Sequence, residues 1–466
     1  MPSMYAYDMI TKYHVRAVLT EPMHIGSGDG SREEILVHPV DRLPYVQAAG
    51  LAGAYRDWFR RQYPSEEDLL FGQSKDQENS YGRLNFSDGY FSFDQGIGME
   101  LRPRVSINPE TGCVDADQVQ GTTRVSGQKF NMEYVGAGAK LEYDIYLFGR
   151  KNEDKGDEVK AHFEQALAAM DRNGIQLGGQ KSNGCGYLKL ESLLGKTFEM
   201  DKAEDRKRWA VELAMEDDDY ENWNSRLKPK LETERAYRIE VSGKTEGELL
   251  IKSLALDIFG KNAPDAAPMH NSAGKYIVPA SSFKGTIRNR MEQIAAYLGL
   301  DGKLLKEIFG HGGEQEKEGV AGSIRFFDTV VRSDDGEGQA ASHLEHRIHL
   351  DKFTAGVIHG GKFAEQTISG KLDMRIEIVR GESASAGLGL LIFALRDLAA
   401  GRMNLGSGYS VGNGFLSIES ILIQDLVSGK EARILFESQE TQDESGILHD
   451  ALQALKARKE NVEAAV

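Results

Sequence analysis

TEPMHIGSGDGSREEILVHPVDRLPYVQAAGLAG (residues 20–53) lies without a gap on KSLALDIFGKNAPDAAPMHNSAGKYIVPASSFKG (residues 252–285) when the chain is shifted by 232 positions. Gly28 then meets Gly260, His38 meets His270, Gly53 meets Gly285, and Arg56 meets Arg288. Further blocks follow in the same order. Leu70-Phe71-Gly72 answers Ile308-Phe309-Gly310, and GRLNFSD (82–88) answers GSIRFFD (322–328). Lys129-Phe130 answers Lys362-Phe363, and LGGQKSNGCGY (177–187) answers LGSGYSVGNGF (405–415). An ordered ladder of this kind is the signature of an internal repeat. The chain reads as one domain over 1–195, a linker with an acidic helix over 196–235, a second copy over 236–425, and a helical tail over 426–466.

Each copy runs strand, glycine loop, helix, strands, helix, strand. YHVRAVLT alternates with a period of two, as a strand does, and GLAGAYRDWFRRQY has the spacing of a helix. SSFKGTIRNRMEQIAAYLG reads as the corresponding helix of the second copy, capped by Ser281 or Ser282. Helices set against a mostly antiparallel sheet make the fold class α+β, and the element order suits two tandem ferredoxin-like cores with long insertions.

The 466 residues carry 56 basic and 72 acidic side chains, a formal charge of −16. That balance argues against nucleic acid, which needs clustered Lys and Arg. Its distribution softens the objection, since residues 211–220 carry −5 and residues 431–450 another −5, whereas 251–300 sum to +3. No signal peptide or membrane span is legible, so a cytoplasmic protein without membrane contact is expected. Two cysteines, Cys113 and Cys185, exclude a disulfide scaffold and a four-cysteine zinc site. His343, His346 and His349 do not make a metal cluster, because strand alternation sends 346 to the opposite face.

The helix start VPASSFKGTIR (278–288) is a candidate anion site. Ser281, Ser282 and Gly285 would expose backbone N–H groups, and Lys284 and Arg288 share one helical face. The same spacing also fits an ordinary capped helix with surface cations. In the first copy the positions read AAGLAG, without hydroxyls or lysine. The glycine-rich endings containing Gly178 and Gly179, and Gly406 and Gly408, permit close approach of another backbone or form bare turns.

Together the glycine loop HIGSG (24–28), PASSFKG, Phe309-Gly310, G-x-I-x-F-x-D, an Arg-bearing strand before a glycine-rich hairpin, and the terminal glycine loop resemble the RAMP superfamily. The nearest likeness is to the Cas-seven backbone group of type III CRISPR effectors, here as a tandem fusion like that of subtype III-D. The resemblance implies two modified RNA-recognition-motif domains with thumb hairpins. It implies guide RNA (crRNA), complementary target RNA and other effector subunits as partners, with no small-molecule substrate. It also implies metal-dependent target cleavage with Mg²⁺ at Asp265, in the loop before the helix start. The gapless shift places Glu33 at that position in the first copy, a departure from the family's aspartate. RNA contacts are expected at Gly26 and Gly28, at the helix start (Ser281, Ser282, Lys284, Gly285, Arg288), at the terminal glycines, and on the thumbs at Arg104, Lys129, Arg347 and Lys362. A non-cutting backbone subunit and a precursor-processing endonuclease are the alternatives.

Overall fold

In MITKYHVRAVL, strand β1 (Met9–Leu19), alternation decides which side faces inward: Tyr13, Val15, Ala17 and Leu19 are all buried to 1% exposure or less. The computed structural model describes residues 7–26, 34–75, 78–105, 107, 118–120, 123–125, 129–151, 156–172, 174–227, 234–253, 264–311, 319–336 and 338–465. They form two units, one drawn from 1–99, 134–180 and 185–232, the other from 100–133, 181–184 and 233–466.

In unit 1, β1 pairs antiparallel with β3 (Lys140–Gly149) on one side and with β4 (Leu188–Glu199) on the other, and β2 (Leu84–Phe86) lies across β3. Helix α1 (Ala48–Gln62) contributes Leu51, Tyr55, Trp58 and Phe59 to the core, and α2 (Gly156–Ala168) contributes Val159, Phe163, Ala166 and Leu167. The opposite face of β1 presents Lys12, His14 and Arg16. Lys12 pairs with Asp144 at 3.0 Å and with Glu212, and Arg16 pairs with Asp217 at 2.5 Å. His14 is pushed up to about 9, chiefly by its 2.6 Å bond to Asp144 and then by Glu142. Lys12 and Arg16 thereby clasp the acidic stretch after α3 (Ala203–Ala210). Trp223 completes the anchorage, its ring filling the space where a Cβ at Gly195 would stand.

Unit 2 repeats the plan. Strand β5 (Arg235–Glu246) lies between β9 (Lys371–Val379) and β10 (Phe415–Asp425), with β6 (Ile324–Phe326) beyond β9. The order β6–β9–β5–β10 matches β2–β3–β1–β4, which is the ferredoxin-like arrangement. Helix α4 (Ala280–Leu298) buries Phe283, Ile287, Met291 and Ala295 at every fourth position. The long strands β7 (Ala341–Leu350) and β8 (Val357–Ser369) form a hairpin between β6 and β9 in the chain. Helix α5 (Ala384–Ala399) is covered in turn by α6 (Ile447–Ala465). The covering is close: a Cβ at Gly389 would stand 2.6 Å from the Ala451 carbonyl oxygen. No described helix is long and apolar enough to cross a membrane.

The gapless shift of 232 does not survive. Gly26 bridges Ile35 as Lys252 bridges Pro268, so eight residues of the first loop answer fifteen of the second. Leu36 N–H donates to the Ile25 carbonyl as Met269 N–H does to Ile251, so His38 answers Asn271 rather than His270. Only from Tyr45 and Ile277, which repeat the next bond, does 232 hold. Surface loops accept insertions that sheets refuse, and the apparent matches inside the loop rest on shared glycines and polar residues.

Candidate nucleic-acid interface

Helix α4 begins at Ala280 with Pro279 at the N-cap, and no side chain of Ser281 or Ser282 caps it. The expected serine cap is replaced by Asp328, which accepts the Ala280 N–H at 2.8 Å. Asp88 accepts the Ala48 N–H of α1 at 2.7 Å in the same way. Both aspartates close the G-x-x-x-F-x-D motif, whose carboxylate therefore complements the positive end of a helix. Asp328 also pairs with Arg102 at 2.6 Å. The first donor of α4 is thus already satisfied, and the cations beside it carry the electrostatics. Lys284 Nζ donates to Ser182 Oγ at 2.7 Å. Its amine is pushed down to about 8, first by burial and then by Arg288, Arg325 and Arg104. Four cationic side chains from three segments thus converge on one place. Arg288 is half-exposed, bonded to Glu292 at 2.7 Å and lying 5.4 Å over the Phe309 ring. A Cβ built at Gly285 meets nothing within 4 Å, so the exposed helix face there is open.

The terminal glycine loops have a different explanation. A Cβ at Gly178 would stand 2.3 Å from the His24 carbonyl oxygen, and one at Gly406 would stand 2.4 Å from that of Leu250. Both glycines have positive φ, and the residues after them, Gly179 and Ser407, donate N–H bonds to the same two carbonyls. The approaching backbone is the chain's own. Gly408 packs on Asn413, and Tyr409 stands 64% exposed beside it.

Asp265 lies beside the middle of the β7–β8 hairpin, at Ala364, which pairs with His346. Its N–H donates to the Ala364 carbonyl at 2.7 Å, and its Oδ2 accepts the Ala364 N–H at 2.7 Å. The side chain is exposed. The next residue on β8, Glu365, is held by Lys252 at 2.9 Å and Arg347 at 3.5 Å. Lys362 is exposed, and Phe363 meets His349 edge-on at 6.0 Å. At the hairpin tip Asp351 Oδ1 accepts the N–H groups of Phe353 and Thr354, and Lys352 lies 5.4 Å over the 87%-exposed Phe353 ring. The result is a ribbon with a cationic and aromatic tip and a carboxylate held beside its middle.

A family profile described as the RAMP superfamily matches residues 16–189 and 208–417. The chain belongs to the RAMP superfamily. A curated relative, the "CRISPR system Cms endoribonuclease Csm3" of Streptococcus thermophilus, is 23% identical over 205 residues, which cover 40% of this chain and 89% of that protein. One RAMP repeat is therefore about the size of that whole relative.

The structure places the expected RAMP site residues unevenly. Glu33 and Gly28 lie outside the described residues, and of Lys129 only the strand position is described. Gly26 is the bridge partner of Ile35. Asp265, Arg347 and Lys362 share the hairpin, whereas Lys284, Arg288 and Arg104 share the helix start. Among the described residues no three His, Cys, Asp or Glu side chains are grouped to hold a metal ion. Asp265 fits a divalent cation as one ligand only, an arrangement usual for Mg²⁺ completed by phosphate oxygens. Sequence reasoning missed Ser182 and Arg325 as members of the cationic cluster. It also missed the capping role of Asp88 and Asp328, although the repeated motif ending in each was visible.

Proposed function

We propose that this chain is a two-repeat backbone subunit of a type III CRISPR ribonucleoprotein, which binds guide RNA along its cationic face and cuts complementary target RNA beside Asp265. Membership of the RAMP superfamily and the likeness to a CRISPR endoribonuclease support the backbone assignment. The observation that carries the cleavage site is the fixing of Asp265 by two bonds to Ala364, midway along an exposed hairpin. A hairpin with an apolar and cationic tip suits insertion between bases, and its flank beside Asp265 then faces the displaced phosphodiester. One Asp265 oxygen is held by the Ala364 amide, which orients the other toward substrate. That oxygen can orient a 2′-hydroxyl or accept its proton as the hydroxyl attacks the adjacent phosphorus, while the bond from phosphorus to the 5′-oxygen breaks and that oxygen takes a proton from water. Mg²⁺, held by Asp265 and phosphate oxygens, would supply charge neutralisation.

The same bond favours one alternative. A carboxylate spent on clipping the hairpin to its neighbouring loop would leave a backbone subunit that binds without cutting. Asp265→Asn and Asp265→Ala separate the two in the assembled ribonucleoprotein, with labelled complementary RNA and Mg²⁺. The expected outcome is unchanged target binding and loss of one cut, by at least 100-fold in rate. Equal cutting by parent and variants removes Asp265 from the site, and absence of cutting by the parent favours the non-cutting reading. Sequencing of the RNA that co-purifies with the parent checks the guide assignment.

A further inference from the structure

We propose that the groove between α4 and α5 in unit 2 docks an acidic segment of a partner protein that carries a large apolar side chain. The groove encloses about 390 Å³. Ile294, Leu298 and Phe393 make its apolar part, and Arg290, Arg396 and Arg402 surround them. Tyr297 stands at the edge, 90% exposed. The single carboxylate present, Asp397, is 3% exposed and is bonded by Arg290 Nε at 2.8 Å and Arg402 Nη1 at 2.8 Å. Those bonds fix the guanidinium planes and leave three positive charges against one negative. On a chain of net charge −16 this is a local reversal. Arg and Tyr are among the residues that most often carry binding energy at protein interfaces.

The first repeat supplies an internal control. Gly174 N–H donates to the Ala169 carbonyl at 2.9 Å as Arg402 N–H does to Asp397 at 3.0 Å, so Ala169 and Gly174 occupy the places of Asp397 and Arg402. The shift of 232 that relates α1 to α4 puts Trp58 at the place of Arg290. Trp58 is 2% exposed, and a Cβ at Gly174 would stand 3.0 Å from its indole nitrogen. One copy closes this site with a ring, whereas the other keeps it open and lines it with arginines. The fold does not require the charged version, so a ligand is its natural explanation. Nucleic acid fits less well. The Phe393 face is already covered by Arg396 at 5.0 Å, and the aliphatic floor offers no stacking platform.

The test places a photoreactive p-benzoylphenylalanine at Tyr297 in the full chain, expressed in its own cells, and identifies what is cross-linked by mass spectrometry. The expected product is a peptide with an excess of Asp and Glu around a Leu, Ile, Met or Phe. Arg396→Glu in the same chain should lower its yield at least tenfold with the melting temperature unchanged, because Arg396 is more than half exposed and Arg290 and Arg402 remain on Asp397. Cross-linking to RNA, cross-linking to a neutral or basic peptide, a yield within twofold in Arg396→Glu, or no cross-link at all would each overturn the proposal. None of these outcomes depends on whether Asp265 cuts RNA.

Discussion

Burial and three neighbouring guanidiniums hold the Lys284 amine at about 8, so at pH 9 most of the unliganded protein carries it neutral. A phosphate placed in the cluster favours the charged form, so binding above pH 8 must take up a proton, and affinity falls as pH rises. For one linked proton the fall approaches about tenfold per pH unit. Titration of a fluorescent single-stranded RNA at pH 7, 8 and 9 and fixed ionic strength should show this fall in the parent and a nearly flat profile in Lys284→Arg. An equally steep profile in Lys284→Arg would assign the proton elsewhere. In the same assay Lys284→Ala with Arg288→Ala should reduce the logarithmic salt slope by about 1.4, at about 0.7 for each phosphate that is no longer neutralised. The pair Lys284 and Arg288 was legible from its spacing on one helix face. Ser182 and Arg325 were not, because they reach the lysine from segments roughly 100 and 40 residues away, and no local period marks such long-range neighbours.

At the scale of elements, helix and strand types follow from periodicity, whereas their terminations depend on partners distant in the chain. The start of α4 is the plain case: serines in the first turn suggested a local cap, and Asp328 supplied it from 48 residues away. A helix that must pack its own start against a strand turn gains rigidity from a carboxylate on that turn, and the repeated pair Asp88–Ala48 shows the device used twice. The tail helix α6 is another tertiary feature. It covers α5 so closely that Gly389 has no room for a side chain. Gly389→Leu should therefore force the helices apart and cost about 1–3 kcal/mol, the usual penalty for overpacking. Denaturant unfolding checks this, and a midpoint equal to that of the parent would show that α6 yields without loss.

For the whole molecule, the two RAMP repeats share a sheet order and a capped first helix but differ in the chemistry around them. The second has Lys284 where the first has Ala52, and Asp265 sits in a loop seven residues longer than its counterpart. The ferredoxin-like core was readable from the order of strands and helices, and each strand shows its inward face in its own residues. The register of the loop was not, because nothing in a polar glycine-rich stretch records how many residues it spans. By the bond pattern the offset just after that loop is 233, which sets Arg32 opposite Asp265, whereas an offset of 232 sets Glu33 there. A carboxylate displaced by only about 1 Å can cost about 100-fold in rate. One dominant cut per chain is therefore expected, lost in Asp265→Ala and unchanged in Glu33→Ala. Mapping the cut positions on a long complementary RNA in all three proteins decides the matter. Two cuts of similar rate in the parent, one of them lost in Glu33→Ala, would make both repeats active and would place the glutamate at the working position despite the difference in loop length.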